Sequence, residues 1–219
     1  MPTGIYVICA LLAYLLGSIP TGFLVARLRG IDIRHSGSGN IGATNAFRVL
    51  GKPAGIFVLV ADGLKGFAAC TWLLFAIWRV AGLKPTENEA FALPIVTGVA
   101  VILGHNYTCW LKFKGGKGIA TTAGVLAALV PWALVVSLSL WIVVTLATRY
   151  VSVGSLVAAV ALAPAAWFST RSVPLTVVTG LMGALAIYKH KANIQRLRAG
   201  TENRLGQKKA PPVPEEVSR

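Results

Sequence analysis

Residues 5–28 read IYVICALLAYLLGSIPTGFLVARL, an apolar run whose first charged residue is Arg27. A helix needs about 20 such residues to cross the hydrocarbon core of a bilayer, and this run is long enough. Pro20 lies inside it and predicts a kink, because proline removes a backbone donor and clashes with the preceding helical turn. The run is therefore predicted to be a membrane-spanning helix.

The rest of the 219-residue chain has the same character. Hydrophobic residues make up 55% of it and charged residues only 13%, about half the usual charged fraction. The formal net charge is +14, and such an excess beside apolar runs indicates cytoplasmic loops near an anionic membrane face. The interleaved aromatic and basic residues of a nucleic-acid-binding surface are missing. We predict an all-α, polytopic membrane protein that binds no nucleic acid.

The positions of the lysines and arginines predict the topology. Apolar runs after the first one extend over Pro53 to Val80, Phe91 to Leu111, Ile119 to Val130, Trp132 to Thr148, Val151 to Phe168 and Val173 to Tyr188. The basic segments after Leu28, Leu111 and Tyr188 are predicted to be cytoplasmic, which puts the N-terminus outside and the C-terminus inside. An even number of crossings then separates Lys117 from Lys189. Four crossings give seven helices, which we prefer, and two give five.

Two further features complete this organisation. Residues Ala81 to Ala90 form a weakly acidic loop on the outer side. Residues 1–206 are predicted to be one integral-membrane domain, and the proline- and charge-rich residues 207–219 a disordered cytoplasmic tail.

One polar stretch stands out between the first two runs: His35 to Arg48, reading HSGSGNIGATNAFR. Its glycines permit a positive φ and a close approach of the backbone to a ligand; they are Gly37, Gly39 and Gly42. Four short polar side chains can donate hydrogen bonds: Ser38, Asn40, Thr44 and Asn45. Arg48 adds a forked positive charge. A helix beginning near Asn40 would point free N–H groups into the loop. The stretch favours a phosphate-binding cradle, and a simple flexible linker is the alternative.

Two more polar segments fall on the same predicted membrane face. Residues 104–118, GHNYTCWLKFKGGKG, place Lys114 and Lys117 on either side of Gly115 and Gly116, and residues 190–203 read HKANIQRLRAGTEN. No paired carboxylates and no Cys/His cluster suggest a metal, so we predict neither a metal nor a cofactor. The shared face favours an interfacial enzyme, whereas a transporter for anions would place its charges near the middle of the membrane.

The second run contains two ionisable residues, Asp62 and Lys65, which are three apart and therefore on one helical face. Charges inside a span are costly, so both should face the bundle interior or a wet cavity. A structural ion pair and a catalytic role are equally compatible with this spacing.

Two familiar phosphate-binding signatures do not apply. Gly37, Gly39 and Gly42 match the glycines of G-x-G-x-x-G, but the dinucleotide fingerprint requires a preceding strand and a βαβ unit, and here a membrane span precedes it. Gly118 follows Lys117 where a P-loop has Ser or Thr.

The chain resembles the bacterial membrane acyl-phosphate:glycerol-3-phosphate acyltransferases. The likeness lies in residues 17–52, GSIPTGFLVARLRGIDIRHSGSGNIGATNAFRVLGK, residues 104–124, GHNYTCWLKFKGGKGIATTAG, and residues 190–206, HKANIQRLRAGTENRLG. The resemblance implies an enzyme of the bacterial inner membrane with its site on the cytoplasmic side. It would move an acyl group from acyl phosphate to position 1 of sn-glycerol 3-phosphate, giving lysophosphatidate and phosphate in the first step of phospholipid synthesis. It would work alongside the enzyme that makes acyl phosphate.

The resemblance also implies roles for individual residues. Ser38 and Arg48 would serve the first motif, Lys114 and Lys117 the second, and His190 and Asn193 the third. We expect all of these except Lys114 to be catalytic. The phosphate-binding set is Gly37, Gly39, Asn40, Gly42, Thr44, Asn45, Lys114, Gly115 and Gly116.

Acyl phosphate is already an activated mixed anhydride, so we expect direct transfer without an acyl-enzyme. The base that takes the proton of the glycerol hydroxyl is either His190 or the substrate's own phosphate.

Overall fold

A computed structural model describes residues 4–206, and these residues contain helices and no strand. Besides two short 3-10 helices, Ile33–His35 and Cys109–Leu111, this range contains eleven α-helices: α1 (Gly4–Ser18), α2 (Thr21–Arg27), α3 (Ala43–Leu50), α4 (Lys52–Cys70), α5 (Trp72–Ala81), α6 (Glu87–Asn106), α7 (Ile119–Leu129), α8 (Pro131–Thr148), α9 (Val151–Thr170), α10 (Val173–Lys189) and α11 (Lys191–Arg198). The all-α prediction is confirmed. The predicted tail, residues 207–219, lies outside the described residues.

Five segments between residues 4 and 206 are long and apolar enough to cross a membrane: Gly4–Arg27, Lys52–Ala81, Glu87–Leu111, Pro131–Thr148 and Val151–Thr170. Helices α10 and α11 form a pair bent by 54°, which makes six if the pair is one span. Helix α7 has 11 residues and would reach only about 16 Å. The polytopic character is confirmed, while the preferred count of seven and the orientation of the termini stay predictions.

Two helix boundaries can be compared with the predicted apolar runs: the break between α1 and α2, and the start of α6. Helices α1 and α2 are interrupted at Ile19 and Pro20, where the kink was predicted. The third run was predicted to begin at Phe91, but α6 begins at Glu87. The reason is a capping box, in which the Thr86 hydroxyl accepts from the Glu89 amide and the Glu89 carboxylate accepts from the Thr86 amide. The predicted loop Ala81 to Ala90 therefore shrinks to residues 82–86.

Glycines let the helices that carry the site pack backbone against backbone. A Cβ on Gly17 of α1 would overlap the Val101 carbonyl of α6, and a Cβ on Gly124 of α7 would overlap the Gly63 carbonyl of α4. Small residues at such crossings are typical of helices packed within a membrane. These contacts pack α1 closely against α6 and α4 closely against α7.

The outside of the bundle is apolar and its polar groups gather inside. Large side chains on the helix surfaces are exposed, among them Leu11, Phe57, Val143, Leu146 and Leu181. By contrast, the N-terminal ends of α3, α7 and α9 and the junction of α10 with α11 border one polar cavity. The fold thus surrounds a polar site with a lipid-compatible exterior.

Candidate active site

The first glycine-rich loop is folded around the side chain of Asn45, which is 1% exposed. Its Oδ1 accepts from the Ser38 amide at 2.8 Å, and its Nδ2 donates to the carbonyls of Ser36 and Asn40 at 3.0 and 2.8 Å, with a longer contact of 3.3 Å to Ile33. Asn45 was predicted to bind phosphate. Its amide satisfies the loop backbone and holds Ser38 and Asn40 in place, and phosphate binding by Asn45 stays a prediction.

Two of the three glycines that permit a positive φ in this loop adopt one. Gly37 has φ +64° and Gly39 has φ +71°. Gly42 has φ −79° and is the N-cap of α3, so it does not use this freedom. The backbone N–H of Gly42 donates to Asn40 Oδ1 at 2.8 Å, in the Asx turn that starts the helix.

Two of the helix N-termini that border the cavity adjoin the predicted phosphate-binding segments. α3 contributes Ala43 and Thr44, and α7 contributes Ile119 and Ala120. The first amides of a helix have no acceptor within it, and its dipole favours negative charge at that end. Together the two helix ends form the kind of anion site that the sequence predicted for the first loop alone.

Lys117 is part of a chain of hydrogen bonds that ends at a buried carboxylate. Its Nζ donates to Asn193 Oδ1, Asn193 Nδ2 donates to Glu202 Oε1 at 2.7 Å, and Arg196 Nε donates to Glu202 Oε2 at 2.7 Å. Burial lowers the pKa of Lys117 to about 8; Glu202 opposes this shift, whereas the charges of Arg196 and Arg48 add to it. Burial alone would raise the pKa of Glu202, but hydrogen bonds from Asn193 and Arg196 outweigh it and the pKa is lowered.

The backbone that precedes Lys117 is anchored to the end of α6. The amides of Gly115 and Gly116 donate to the carbonyls of Asn106 and His105 at 3.2 and 3.0 Å. A Cβ on Gly116 would overlap the His105 imidazole. The two glycines are therefore required for this close contact, and their amides are already used.

His190 caps the end of α10 with its ring and is 3% exposed. Its Nδ1 lies 2.7 Å from the Ala186 carbonyl, which can only accept, so Nδ1 carries the proton. The neutral ring then has its lone pair on Nε2, and His190 lines the polar cavity. This tautomer is the one that can take a proton there.

The polar cavity has a volume of about 110 Å³ and adjoins an apolar cavity of about 170 Å³. Residues that line both are Leu59, Ile119, Ala120, Trp141 and Ser155. The apolar cavity continues between α7, α8 and α9, past side chains such as Leu126, Leu134 and Leu162. A ligand with a charged head and a hydrocarbon tail matches this pair of cavities.

Comparisons with known proteins agree with this geometry. A family model described as glycerol-3-phosphate acyltransferase matches residues 7–200. The chain belongs to the glycerol-3-phosphate acyltransferase family. Relatives of that name include proteins from Geobacter sulfurreducens, 45% identical over 195 residues, and Trichlorobacter lovleyi, 42% identical over 192 residues; each match covers 88% of this chain and 93% of the relative.

Two crystal structures of PlsY, an integral membrane glycerol 3-phosphate acyltransferase, are similar to this chain. They are its glycerol 3-phosphate and lysophosphatidic acid forms, with TM-scores of 0.81 and 0.79. Both are 38% identical in sequence, and the match covers 93% of this chain and 96% of theirs. The present chain is thus an integral membrane acyltransferase, and the transporter alternative is set aside.

The acyltransferase brings together most of the residues predicted for its site. Those that line the polar cavity are Ser38, Asn40, Gly42, Thr44, Asn45, Arg48, Lys117, His190 and Asn193. Predicted residues that do not line it are Gly37, Gly39, Lys114, Gly115 and Gly116. The Lys114 side chain is exposed. Phosphate binding by these five residues stays a prediction, and for the glycines the structure offers a role in folding the loops.

The cavity of the acyltransferase also contains residues that the sequence did not single out for it. They are His105, Trp141, Ser152, Ser155 and Glu202, with Asp62, whose role was left open. The cavity therefore contains two carboxylates, Asp62 and Glu202, beside its cationic groups. Asp62 forms the ion pair that was one of the two alternatives for it, since its Oδ1 lies 2.9 Å from Lys65 Nζ.

Gly39→Val is expected to remove most of the acyltransferase activity. The backbone at Gly39 has φ +71°, which a β-branched residue resists, and a Cβ there would lie 2.9 Å from the Arg34 carbonyl. Gly30→Val is a matched control, because Gly30 has φ +70° but nothing within 4 Å of a Cβ. Acyl transfer by the two purified variants is the measurement. Equal activity in both would mean that the loop around Gly39 tolerates distortion and does not shape the site.

Proposed function

We propose that the enzyme transfers a fatty acyl group from acyl phosphate to position 1 of sn-glycerol 3-phosphate, releasing lysophosphatidate and inorganic phosphate. The observation that carries this proposal is that the two cavities adjoin and share five lining residues. One presents cationic side chains and helix N-termini suited to phosphate groups, and the other is apolar and suited to an acyl chain. PlsY, the similar protein of known structure, has glycerol 3-phosphate and lysophosphatidic acid forms.

In this proposal Lys117 and Arg48 neutralise the phosphate groups of the two substrates. Ser38, held by Asn45 through its backbone, and the first amides of α3 and α7 provide uncharged donors. Holding the glycerol hydroxyl against the acyl carbonyl can contribute up to about 7–11 kcal/mol to lowering the barrier. A donor aimed at the developing oxyanion contributes about 3–4 kcal/mol. These two effects suffice for a donor that is already activated.

Direct transfer fits the nucleophiles of the site. Cys109 does not line the cavity, and the cavity serines are Ser38, Ser152 and Ser155. Within residues 4–206 none of these serines is hydrogen-bonded to His190, whose recorded partner is the Ala186 carbonyl. A serine that is not hydrogen-bonded to the imidazole lacks the base that usually activates such a nucleophile, so a covalent acyl-enzyme is not part of the proposed route.

Two acceptors are available for the proton of the attacking hydroxyl. His190 has its lone pair on Nε2, as the hydrogen bond of Nδ1 requires. The substrate phosphate, held beside Lys117 and Arg48, is the other. Both routes end with protonated inorganic phosphate as the product, so they differ only in whether the imidazole mediates the transfer.

We also propose that the enzyme lies in the bacterial inner membrane with this site on the cytoplasmic side. The support is the distribution of positive charge. Most of the lysines and arginines lie in three segments: the loop around Arg48, Lys112 to Lys117, and the residues after Tyr188. An enzyme that makes acyl phosphate would supply the donor.

A product assay tests the proposed function. Purified protein in detergent is given glycerol 3-phosphate with acyl phosphate, an acyl-coenzyme A thioester or an acyl carrier protein thioester. Lysophosphatidate is expected only with acyl phosphate, accompanied by one phosphate per product. Labelled acyl phosphate alone is expected to leave no label on the denatured protein. Turnover of a thioester at the same rate would refute the proposed donor, and a stable label that chases into product would refute direct transfer.

A further inference from the structure

Asp62 is a charged group within the apolar helix α4, where a carboxylate is costly unless it is paired or has a function. It is 2% exposed and lines the polar cavity. Its position therefore brings a second carboxylate into the cavity, separate from Glu202, which is hydrogen-bonded to Asn193 and Arg196.

The contacts of the Asp62 carboxylate are divided unequally between its two oxygens. Lys65 Nζ lies 2.9 Å from Oδ1, Thr21 Oγ1 donates to Oδ1 at 3.2 Å, and His105 Nδ1 lies 3.7 Å from Oδ1. Lys65 is fixed in turn, since its Nζ also donates to the Ile19 carbonyl at 3.1 Å. No hydrogen bond to Oδ2 occurs among residues 4–206. The carboxylate is thus held in one orientation through Oδ1, and Oδ2 can accept a hydrogen bond from a ligand.

The chemistry of the substrates limits what this oxygen can bind. A carboxylate oxygen accepts hydrogen bonds and repels phosphate, so it does not belong to the phosphate sites at Lys117 and Arg48. Acyl phosphate has no hydroxyl group on carbon, whereas glycerol 3-phosphate has two. The hydroxyl at position 1 gives up its proton in the reaction, and a carboxylate paired with Lys65 is a weak base for it. The hydroxyl at position 2 keeps its proton and needs an acceptor.

We propose that Oδ2 of Asp62 accepts a hydrogen bond from the position 2 hydroxyl of glycerol 3-phosphate and so selects this acceptor over simpler phosphorylated alcohols. This inference rests on the proposed function and deepens it. Lys65 and Thr21 are positioning residues that aim the carboxylate, and Asp62 touches the substrate. A site built to bind a hydroxyl discriminates against an analogue without it, because the acceptor is then left buried and unpaired.

The experiment compares glycerol 3-phosphate with 3-hydroxypropyl phosphate, which lacks only the position 2 hydroxyl. With acyl phosphate as donor, the wild-type enzyme is expected to prefer glycerol 3-phosphate in kcat/KM by roughly 10- to 100-fold, the value of a hydrogen bond to a charged group. In Asp62→Asn this ratio is expected to fall at least about fivefold, because a neutral amide oxygen is the weaker acceptor. A purely structural defect lowers both activities and leaves the ratio unchanged.

Two further variants protect the test. Asp62→Val combined with Lys65→Met removes both charges at once, a replacement that buried ion pairs often tolerate, and it should bring the ratio close to one. Thr97→Val is the control: it removes a buried hydroxyl that donates to the Leu93 carbonyl, and Thr97 does not line the cavity, so the ratio should stay at the wild-type value. A wild-type ratio near one, or a ratio unchanged in both Asp62 variants, overturns this inference alone. No acylation of glycerol 3-phosphate by the wild type overturns the proposed function as well.

Discussion

Lys117→Met is expected to lower kcat/KM for acyl transfer roughly 10²–10³-fold, the usual loss when one preorganised donor to developing charge is removed. Met keeps the length of the side chain but cannot neutralise a phosphate. Lys112→Met is the matched control, because Lys112 lies in the same segment and is exposed outside the cavity. Rates are measured on purified protein, together with thermal unfolding in detergent. A Lys117→Met enzyme as active as the control would remove Lys117 from the reaction.

The pH dependence gives the same prediction a second readout. The pKa of Lys117 is lowered to about 8, mainly by burial, so the side chain is charged below that pH and neutral above it. In the free enzyme, kcat/KM should therefore fall as the pH rises through about 8. Lys117→Arg keeps its charge at every accessible pH, and this alkaline decline should move upward in that variant. An identical decline in both enzymes would assign it to another group.

The fold could be predicted because its main elements correspond to local sequence patterns. Apolar runs of spanning length indicate membrane helices, and Pro20 marks the break between α1 and α2. The pairing of Asp62 with Lys65 follows from their spacing of three residues on a helix. The start of α6 was missed because the capping box of Thr86 and Glu89 extends the helix into polar sequence.

The site was harder to predict where distant segments meet. Glu202 follows Asn193 by nine residues in a basic stretch, and the chain must reverse at Gly200, with φ +70°, before its carboxylate reaches Asn193. Trp141 and Ser155 lie inside apolar helices and have no marker in the sequence, although their side chains are hydrogen-bonded at 3.1 Å beside the cavity.

A different difficulty concerns Asn45 and Gly42, which the structure uses to build the first loop. The composition of that loop does not distinguish polar groups that face a ligand from those that hold the loop together. Asn45 is consumed by the loop itself, since three backbone carbonyls and one amide already use its side chain. Gly42 is needed at a helix start and not at a positive φ. The composition of residues 35–48 suggests a phosphate-binding loop. Only the fold separates the groups that stabilise this loop from those that face the cavity.

His190→Asn is expected to lower kcat by roughly 10²–10⁴-fold, the range for a positioned acid or base. The Asn amide nitrogen can take the place of Nδ1 and keep the hydrogen bond to the Ala186 carbonyl, so the end of α10 stays capped. Only the imidazole edge with Nε2 is lost. His190→Ala loses both, and a lower thermal stability in Ala than in Asn would measure the capping role separately. Full activity in His190→Asn would make His190 a structural residue.

The pH profile of the same variant decides between the two proton acceptors. If Nε2 takes the proton of the glycerol hydroxyl, the acidic decline of kcat belongs to His190 and disappears in His190→Asn. If the substrate phosphate takes it, the acidic decline belongs to the phosphate and persists at the same pH in the variant, at a lower rate. His190→Asn also removes the hydrogen-bond donor that a protonated imidazole would offer in the cavity, so some loss of rate accompanies either route. The position of the acidic limb, not the size of the loss, therefore identifies the base.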